Sequence, residues 1–304
     1  MRQTKIHRPI ILSLTIEPIF EADFHDCSYG YRPKRNARQA SQALRSDLYC
    51  QAWGVVEIDF KSYFTSIPHD KLLELISLRI TDSSLLTLIK QTLKVGEMRK
   101  GSITPTEIGV PQGSPLSPLY SNIYLNVIDQ KWHKMDYPQK FGATLHRYCD
   151  DIVLVCRKDA LKAWNAFKEE ALQLKLSINS EKTHITKLTK GFDFIGYTFV
   201  KRKSPKVKKN IIYIFPTKRS QQAIRHKIKR ITSRRAPIKP EQFVKLINER
   251  VLGWVNYYTH TNASLSFRRL QHFINNRFRR YLTQRSKGRG FGWKQYPSDK
   301  LYSR

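Results

Sequence analysis

A chain of 304 residues, 40% hydrophobic and 26% charged, carries enough apolar material for a sizeable core and is long enough for two domains. Its 55 Lys and Arg against 24 Asp and Glu leave a formal charge of +31, which makes a polyanion the expected partner because cationic side chains release the counterions of phosphates. The cysteines Cys27, Cys50, Cys149 and Cys156 form no C-x-x-C pair and no apolar run approaches the ~18 residues of a spanning helix; this argues against a disulfide framework, a zinc site and a membrane span, and for a reducing cytoplasm, in a bacterium or an organelle.

In chain order, apolar residues at helical spacing predict a helix over 10–24, broken by the Tyr29-Gly30-Tyr31-Arg32-Pro33 loop, and a second helix over 36–48. A β-branched run over 53–59 ends on Asp59, and Pro68-His69-Asp70 opens a helix reaching Ile80. The Pro-Gln-Gly-Ser-Pro-Leu-Ser-Pro turn region after Val110 feeds a helix that runs to about Asp136. Runs 145–149 and 152–156 read as strands of a hairpin with Asp150-Asp151 at its turn. A helix over 160–174 follows, then an extended stretch over 176–178, then strands over 192–200 and 211–215. Three basic helices are predicted over 221–233, 240–258 and 265–283, with a loose glycine-bearing tail over 286–304. Residues from 201 onward hold 28 Lys and Arg against only Glu241, Glu249 and Asp299, so about +25 of the net +31 lies in the last third.

Asp59 and the Asp150-Asp151 pair lie 91 positions apart, yet each ends a short β-type run. Neighbouring strands can bring them together, and three converging carboxylates repel one another unless cations are present. Oxygen donors of this kind suit Mg²⁺, and two such ions activate a hydroxyl and stabilise a leaving oxyanion. On its own an Asp-Asp turn is ordinarily only a turn.

The surrounding residues change that. Tyr148-Cys149-Asp150-Asp151 resembles the Y-x-D-D box of reverse transcriptases, and Val56 to Phe64 followed by Ile67-Pro68-His69 resembles their first catalytic strand. Val110 to Pro118 is similar to the intervening substrate loop; Glu17 to Glu21, Ser28 to Pro33, Asn179 to Thr183 and Phe194 to Tyr197 are similar to further family segments, in order. The set resembles the group II intron-encoded branch, and Gly253-Trp254-Val255-Asn256-Tyr257-Tyr258 with Arg277-Phe278-Arg279-Arg280 resembles its maturase region, so that coverage runs from about residue 10 to 295.

The resemblance implies an α+β right-hand polymerase: shortened fingers over 1–55, a palm with an antiparallel sheet and helices over 56–200, a basic helical thumb or maturase region over 201–285, and a basic tail over 286–304. It implies Asp59, Asp150 and Asp151 as catalytic ligands of two Mg²⁺ ions, with the Phe60 carbonyl as a further ligand. Phe64 would stack under the incoming sugar and exclude a 2′-hydroxyl, with a core phenylalanine as the competing reading. Gln112 and Gly113 would lie along the nascent base pair, Arg32 would contact the triphosphate, and Lys182 would position or protonate the leaving group. Phe194, Gly196 and Tyr197 would support the primer, against plain core packing. Arg225, Lys229, Arg230, Arg268, Arg269, Arg277, Arg279 and Arg280 would hold RNA, while Trp254 reads as core.

The implied partners are structured intron RNA, an RNA template with a DNA primer, and deoxynucleoside triphosphates, in a protein assisting RNA splicing and mobility of the element. The chain departs from the family in having only about sixteen residues before the Glu17 segment, and in Cys149, where alanine is common. The first departure sustains an alternative, a catalytically silent RNA-binding maturase or a remnant of a truncated intron gene. No Cys/His cluster of an endonuclease module is present in the tail.

Overall fold

The computed structural model describes residues 4–50, 52–94, 98–99, 102–103, 108–111, 113–232, 239–285, 290 and 292–297, giving the backbone alone at 4–8, 98–99, 102–103 and 285. The chain divides into two compact units, Met1–Ile195 and Gly196–Arg304. Among the described residues no helix is long and apolar enough to cross a membrane.

The first unit begins with α1 (Thr4–Glu21) and α2 (Ala37–Tyr49). Asn36 starts α2 with a reciprocal capping box, its side chain accepting from the Gln39 N–H while the Gln39 side chain accepts from the Asn36 N–H. There follow β1 (Gly54–Ile58), α3 (Tyr63–Ser66), α4 (His69–Ser77), α5 (Ser83–Lys94), the short pair β2 (Met98–Arg99) and β3 (Ser102–Ile103), α6 (Ser117–Lys134) and α7 (Tyr137–Lys140). Then come β4 (Ala143–Tyr148), β5 (Asp151–Cys156), α8 (Ala160–Gln173), β6 (His184–Lys187) and β7 (Phe192–Phe194).

The main sheet has the order β4-β5-β1-β6, with β1 antiparallel to both its neighbours. Alternation sorts its two faces. Val56, Ile58, Leu145, Ile152, Leu154 and Cys156 join the core with Trp132 of α6 and Phe167 of α8. On the opposite face α2 packs against β4, where His146 meets Asp47 at 2.8 Å. α6 is buried along most of its length, from Leu119 and Tyr120 through Tyr124 to Trp132, and carries Ser121, Asn122 and Asp129 into the interior with it.

In the second unit β8 (Tyr197–Lys203) and β9 (Asn210–Pro216) form an antiparallel hairpin, followed by α9 (Lys218–Ile231), α10 (Pro240–Tyr258) and α11 (Ser264–Arg285). The Asn262 side chain latches the hairpin by accepting from the Ile214 N–H at 3.0 Å, while its backbone N–H donates to the Ile214 carbonyl. The helices close over Ile224, Ile228, Phe243, Ile247 and Leu270, with Trp254, Phe273 and Tyr281 packed against that cluster. Trp254 is half-buried against that cluster, its indole N–H donating to Ser220 Oγ, which agrees with a packing role.

Most of these elements match those expected from the sequence, and α3, α5, α7, β2, β3 and β6 are additions to them. β6 was hidden because His184-Ile185-Thr186-Lys187 is largely exposed and lacks an apolar alternation; its sole strong signal is the pairing with β1. The expected end of one helix at Ser233 lies outside the described residues. Within the expected loose tail, Gly292 to Pro297 turn back, and the Tyr296 carbonyl accepts from Arg279 Nε.

Candidate active site

Antiparallel register decides whether the acids can meet. Ile58 of β1 faces Ile152 of β5, so one step further Asp59 stands opposite Asp151, and directly opposed residues project to the same face. Tyr148 pairs with Asp151, leaving Cys149 and Asp150 as a two-residue hairpin turn. Burial pushes the Asp151 carboxyl up to about 6, helped by the negative charges of Asp150 and then Asp59. Asp151 keeps contact with solvent, so the three carboxylates share an open cleft edge rather than a sealed cavity.

Phe60 bridges Ile178, and the bonds of that bridge run from Lys61 N–H to the Ser177 carbonyl and from Asn179 N–H to the Asp59 carbonyl. The N–H and C=O of Phe60 itself are not used there and face the other edge, where β5 lies. The Phe60 ring is buried in the core. Lys182, on the segment leading into β6, brings Nζ to 3.4 Å from Asp59 Oδ2. The all-oxygen donor set, with one carboxyl held above its ordinary range by burial and then by its acidic neighbours, fits hard divalent cations.

The turn is held from beneath by residues the sequence reading did not single out. Cys149 has a positive φ of 59°, uncommon for a side chain with a Cβ. Its carbonyl accepts from Arg147 Nη1 at 3.1 Å, and the same nitrogen reaches Asn122 Oδ1 at 2.8 Å. Arg147 is fully buried and grips Asp129 through Nε, at 3.0 and 2.9 Å, and through Nη2. Asn122 in turn donates to the Gly30 carbonyl at 2.8 Å, and Tyr29 N–H donates to the Arg147 carbonyl at 2.9 Å. A Cβ on Gly30 would lie 2.5 Å from Cys149 N, so only glycine allows this approach. The available signal was Asn122 and Asp129, seven positions apart and so on one side of α6, set among the apolar residues Ile123, Tyr124, Leu125 and Ile128; buried polar groups there require partners. Cys149 packs on Ser121 Oγ at 3.4 Å, and burial pushes its thiol up to about 12.

Phe64 is half-buried and meets Tyr63 edge-on. Its carbonyl accepts from Val110 N–H at 2.7 Å, Gly109 N–H donates to the Ile67 carbonyl, and His69 Nε2 contacts the Gly109 carbonyl at 2.5 Å. The loop bearing Gly113 is thereby tied to the segment that follows Asp59. Gly113 has φ +87° with open space around it, while Gln112 lies outside the described residues.

Several expectations need correction. Arg32 does not face a triphosphate: its side chain is 3% exposed, pairs with Glu21, and gives its other donors to the carbonyls of Phe24, His25 and Ser28. It braces the loop that carries Gly30. Phe194 and Tyr197 are buried, and Tyr197 stacks on Tyr257 while donating to its carbonyl at 3.0 Å, so neither ring is presented to a primer. Gly196 has φ +83°, and its carbonyl accepts from Tyr258 Oη and Thr217 N–H. Arg279 is 1% exposed, lies over the Trp293 ring at 4.0 Å and contacts Asn276 Oδ1, which makes it structural.

Other basic residues of the second unit do face solvent. Lys229, Arg230, Arg268 and Arg269 are exposed; Arg225, half-buried over the Phe273 ring, joins Arg268, Arg269, His272 and Asn276 around a groove of about 460 Å³. Arg277 donates to Thr232 Oγ1 at 2.7 Å, and Arg280 is half-buried.

Residues 6–199 match the family model "Reverse transcriptase (RNA-dependent DNA polymerase)" and residues 221–297 match "Group II intron, maturase-specific domain". Protein YkfC of Escherichia coli is 28% identical over 257 residues, covering 73% of this chain and 67% of that protein. The group II intron-encoded protein LtrA of Lactococcus lactis is 38% identical over 117 residues, 38% of this chain and 19% of LtrA. A 91 kDa protein in the cob intron of Schizosaccharomyces pombe is 37% identical over 120 residues, 40% of this chain and 15% of that protein. The chain thus spans about two thirds of the first relative and less than a fifth of the other two. Among solved structures, telomerase from Candida albicans in complex with a fragment of telomeric RNA aligns with 97% of this chain and 54% of its own, at a TM-score of 0.52 and 10% identity, a likeness of fold.

Proposed function

The chain belongs to the reverse transcriptase family, and on that premise we propose that it extends a DNA primer along an RNA template, using deoxynucleoside triphosphates and two Mg²⁺ ions held by Asp59, Asp150, Asp151 and the Phe60 carbonyl. The observation that carries this reading is the register that sets Asp59 opposite Asp151 at the hairpin turn. Bound there, the ions would supply charge neutralisation for the transferring phosphoryl group and acidify the attacking 3′-hydroxyl. Lys182 beside Asp59 supports a role in holding the departing pyrophosphate. Phe64, anchored through its backbone to the loop of Gly113, is suited to limit space at the sugar 2′ position, and Gly113, with open space around it, to let a nascent pair approach the backbone.

The second unit, on this reading, holds structured intron RNA through Arg225, Lys229, Arg230, Arg268 and Arg269, in support of splicing and mobility; Arg277 and Arg280 flank that surface in sequence. Four free cysteines suit a reducing compartment such as the cytoplasm.

Primer extension on an RNA template tests the catalytic half. Incorporation should require a divalent cation, and Asp59→Ala or Asp150→Ala should lower it by about 10³-fold or more, since losing a metal ligand removes several kcal/mol of transition-state stabilisation. Variants indistinguishable from the parent would leave only the RNA-holding role.

A further inference from the structure

The loop before Tyr29 and the last turn of α6 gather three side chains for which the polymerase site has no use. A ring nitrogen of His25, the Sγ of Cys27 and a ring nitrogen of His133 lie within 4.8 Å of one another. His133 Nε2 is shut off from solvent and has no hydrogen-bond partner, an uncommon state for a buried polar atom. The His25 and His133 rings lie face to face at 3.6 Å, and burial lowers the pKa of both, favouring the neutral form in which imidazole is a ligand.

We infer that His25, Cys27 and His133 form a binding site for a borderline transition-metal ion of the zinc class, separate from the carboxylate centre. Two imidazoles and a thiolate are the donors that select such an ion, whereas Mg²⁺ takes oxygen. Tetrahedral zinc with these ligands needs donor atoms ~3.3–3.7 Å apart, so the cluster contracts by about 1 Å on binding. An ion also lies in the plane of each imidazole that binds it, so the stacked rings must fan apart. Both are only half-buried, which leaves room for that rotation. Cys27 Sγ exchanges its proton, released to solvent, for the metal, with no change of oxidation state; water completes the coordination.

The scaffold is already tied together. His25 N–H donates to Asn126 Oδ1 at 3.2 Å, while Asn126 Nδ2 and Gln130 Nε2 donate to the Asp23 carbonyl at 3.2 and 2.6 Å. Asn126, Asp129, Gln130 and His133 share one face of α6 by helical spacing, and that face meets the loop. Burial, and then the negative charge of Asp129, which also grips Arg147, hold the Cys27 thiol well above its ordinary range, so the ion must displace a proton that the empty site retains. The sequence spacing argued against zinc because the third ligand is remote in the chain.

Titration of the full-length protein with Co²⁺ tests the site, because a thiolate bound to Co²⁺ gives a near-ultraviolet charge-transfer band. One equivalent should produce the band, Zn²⁺ should displace it, and Asp151→Asn should retain it. Cys27→Ala should abolish the band, and His133→Ala should weaken binding tenfold or more. No band at stoichiometric Co²⁺, or an undiminished band in either variant, overturns the proposal. If Cys27→Ala fails to fold, His133→Ala decides alone, since its ring is partly exposed: parental affinity there overturns the site.

Discussion

Asp151, proposed as a metal ligand, also carries a cost to folding. Its carboxyl is raised to about 6 by burial, Asp150 and Asp59, against ~3.9 for an unfolded aspartate. Below pH ~4 both states hold the proton and nothing is lost; between pH ~4 and ~6 the unfolded chain ionises first, so stability falls as pH rises and levels off above 6. Metal-free Asp151→Asn should therefore melt higher than the parent at pH 7 and converge with it near pH 4. Solvent access limits the difference to about 1 kcal/mol or less. Thermal melts with and without Mg²⁺ check this: added cation should raise the parent Tm and barely move that of the variant. An equal response in both would show that Asp151 does not hold the ion. At this scale the approach of Asp59 to Asp151 was foreseeable in sequence because the short β-type runs that carry them read as neighbouring strands. Arg32 and Arg279 were misread because an arginine in a basic chain looks like a phosphate contact until its donors are counted.

At the scale of elements, the hairpin of β4 and β5 is local, but its turn is set by distant pieces. Gly30 lies against the turn backbone, and Arg147 ties the Cys149 carbonyl to Asp129 and Asn122 of α6. Gly30→Ala places a methyl 2.5 Å from Cys149 N, where the contacting atom is backbone and cannot swing away. A loss of about 1–3 kcal/mol in stability is expected. Primer extension should fall tenfold or more while RNA affinity holds, and unaltered extension would show that the turn tolerates displacement. The strands and helices of this region were readable from their periodicity. The brace was not, because its members act through tertiary contacts that no local pattern records.

At the scale of the whole molecule, the charge count in the last third pointed to a polyanion, and the structure divides those cations by exposure. Replacing Arg268 and Arg269 together with alanine should reduce the slope of log affinity for structured RNA against log salt by about 1.5, as two lost phosphate contacts dictate. Arg279→Ala should leave the slope alone and destabilise the second unit by about 2 kcal/mol, through its lost ring contact and hydrogen bonds. Filter binding across a salt series, with melts alongside, separates the two; a slope change in Arg279→Ala would return that residue to the RNA surface. The central position of β1 has a further consequence for biogenesis. Its partners β5 and β6 are translated long after it, so on the ribosome the strand that delivers Asp59 waits with one hydrogen-bonding edge open until β5 has emerged and with the other open until His184–Lys187 follows. Such long-range closure slows folding and leaves a nascent segment that chaperones, or a neighbouring chain, can capture first.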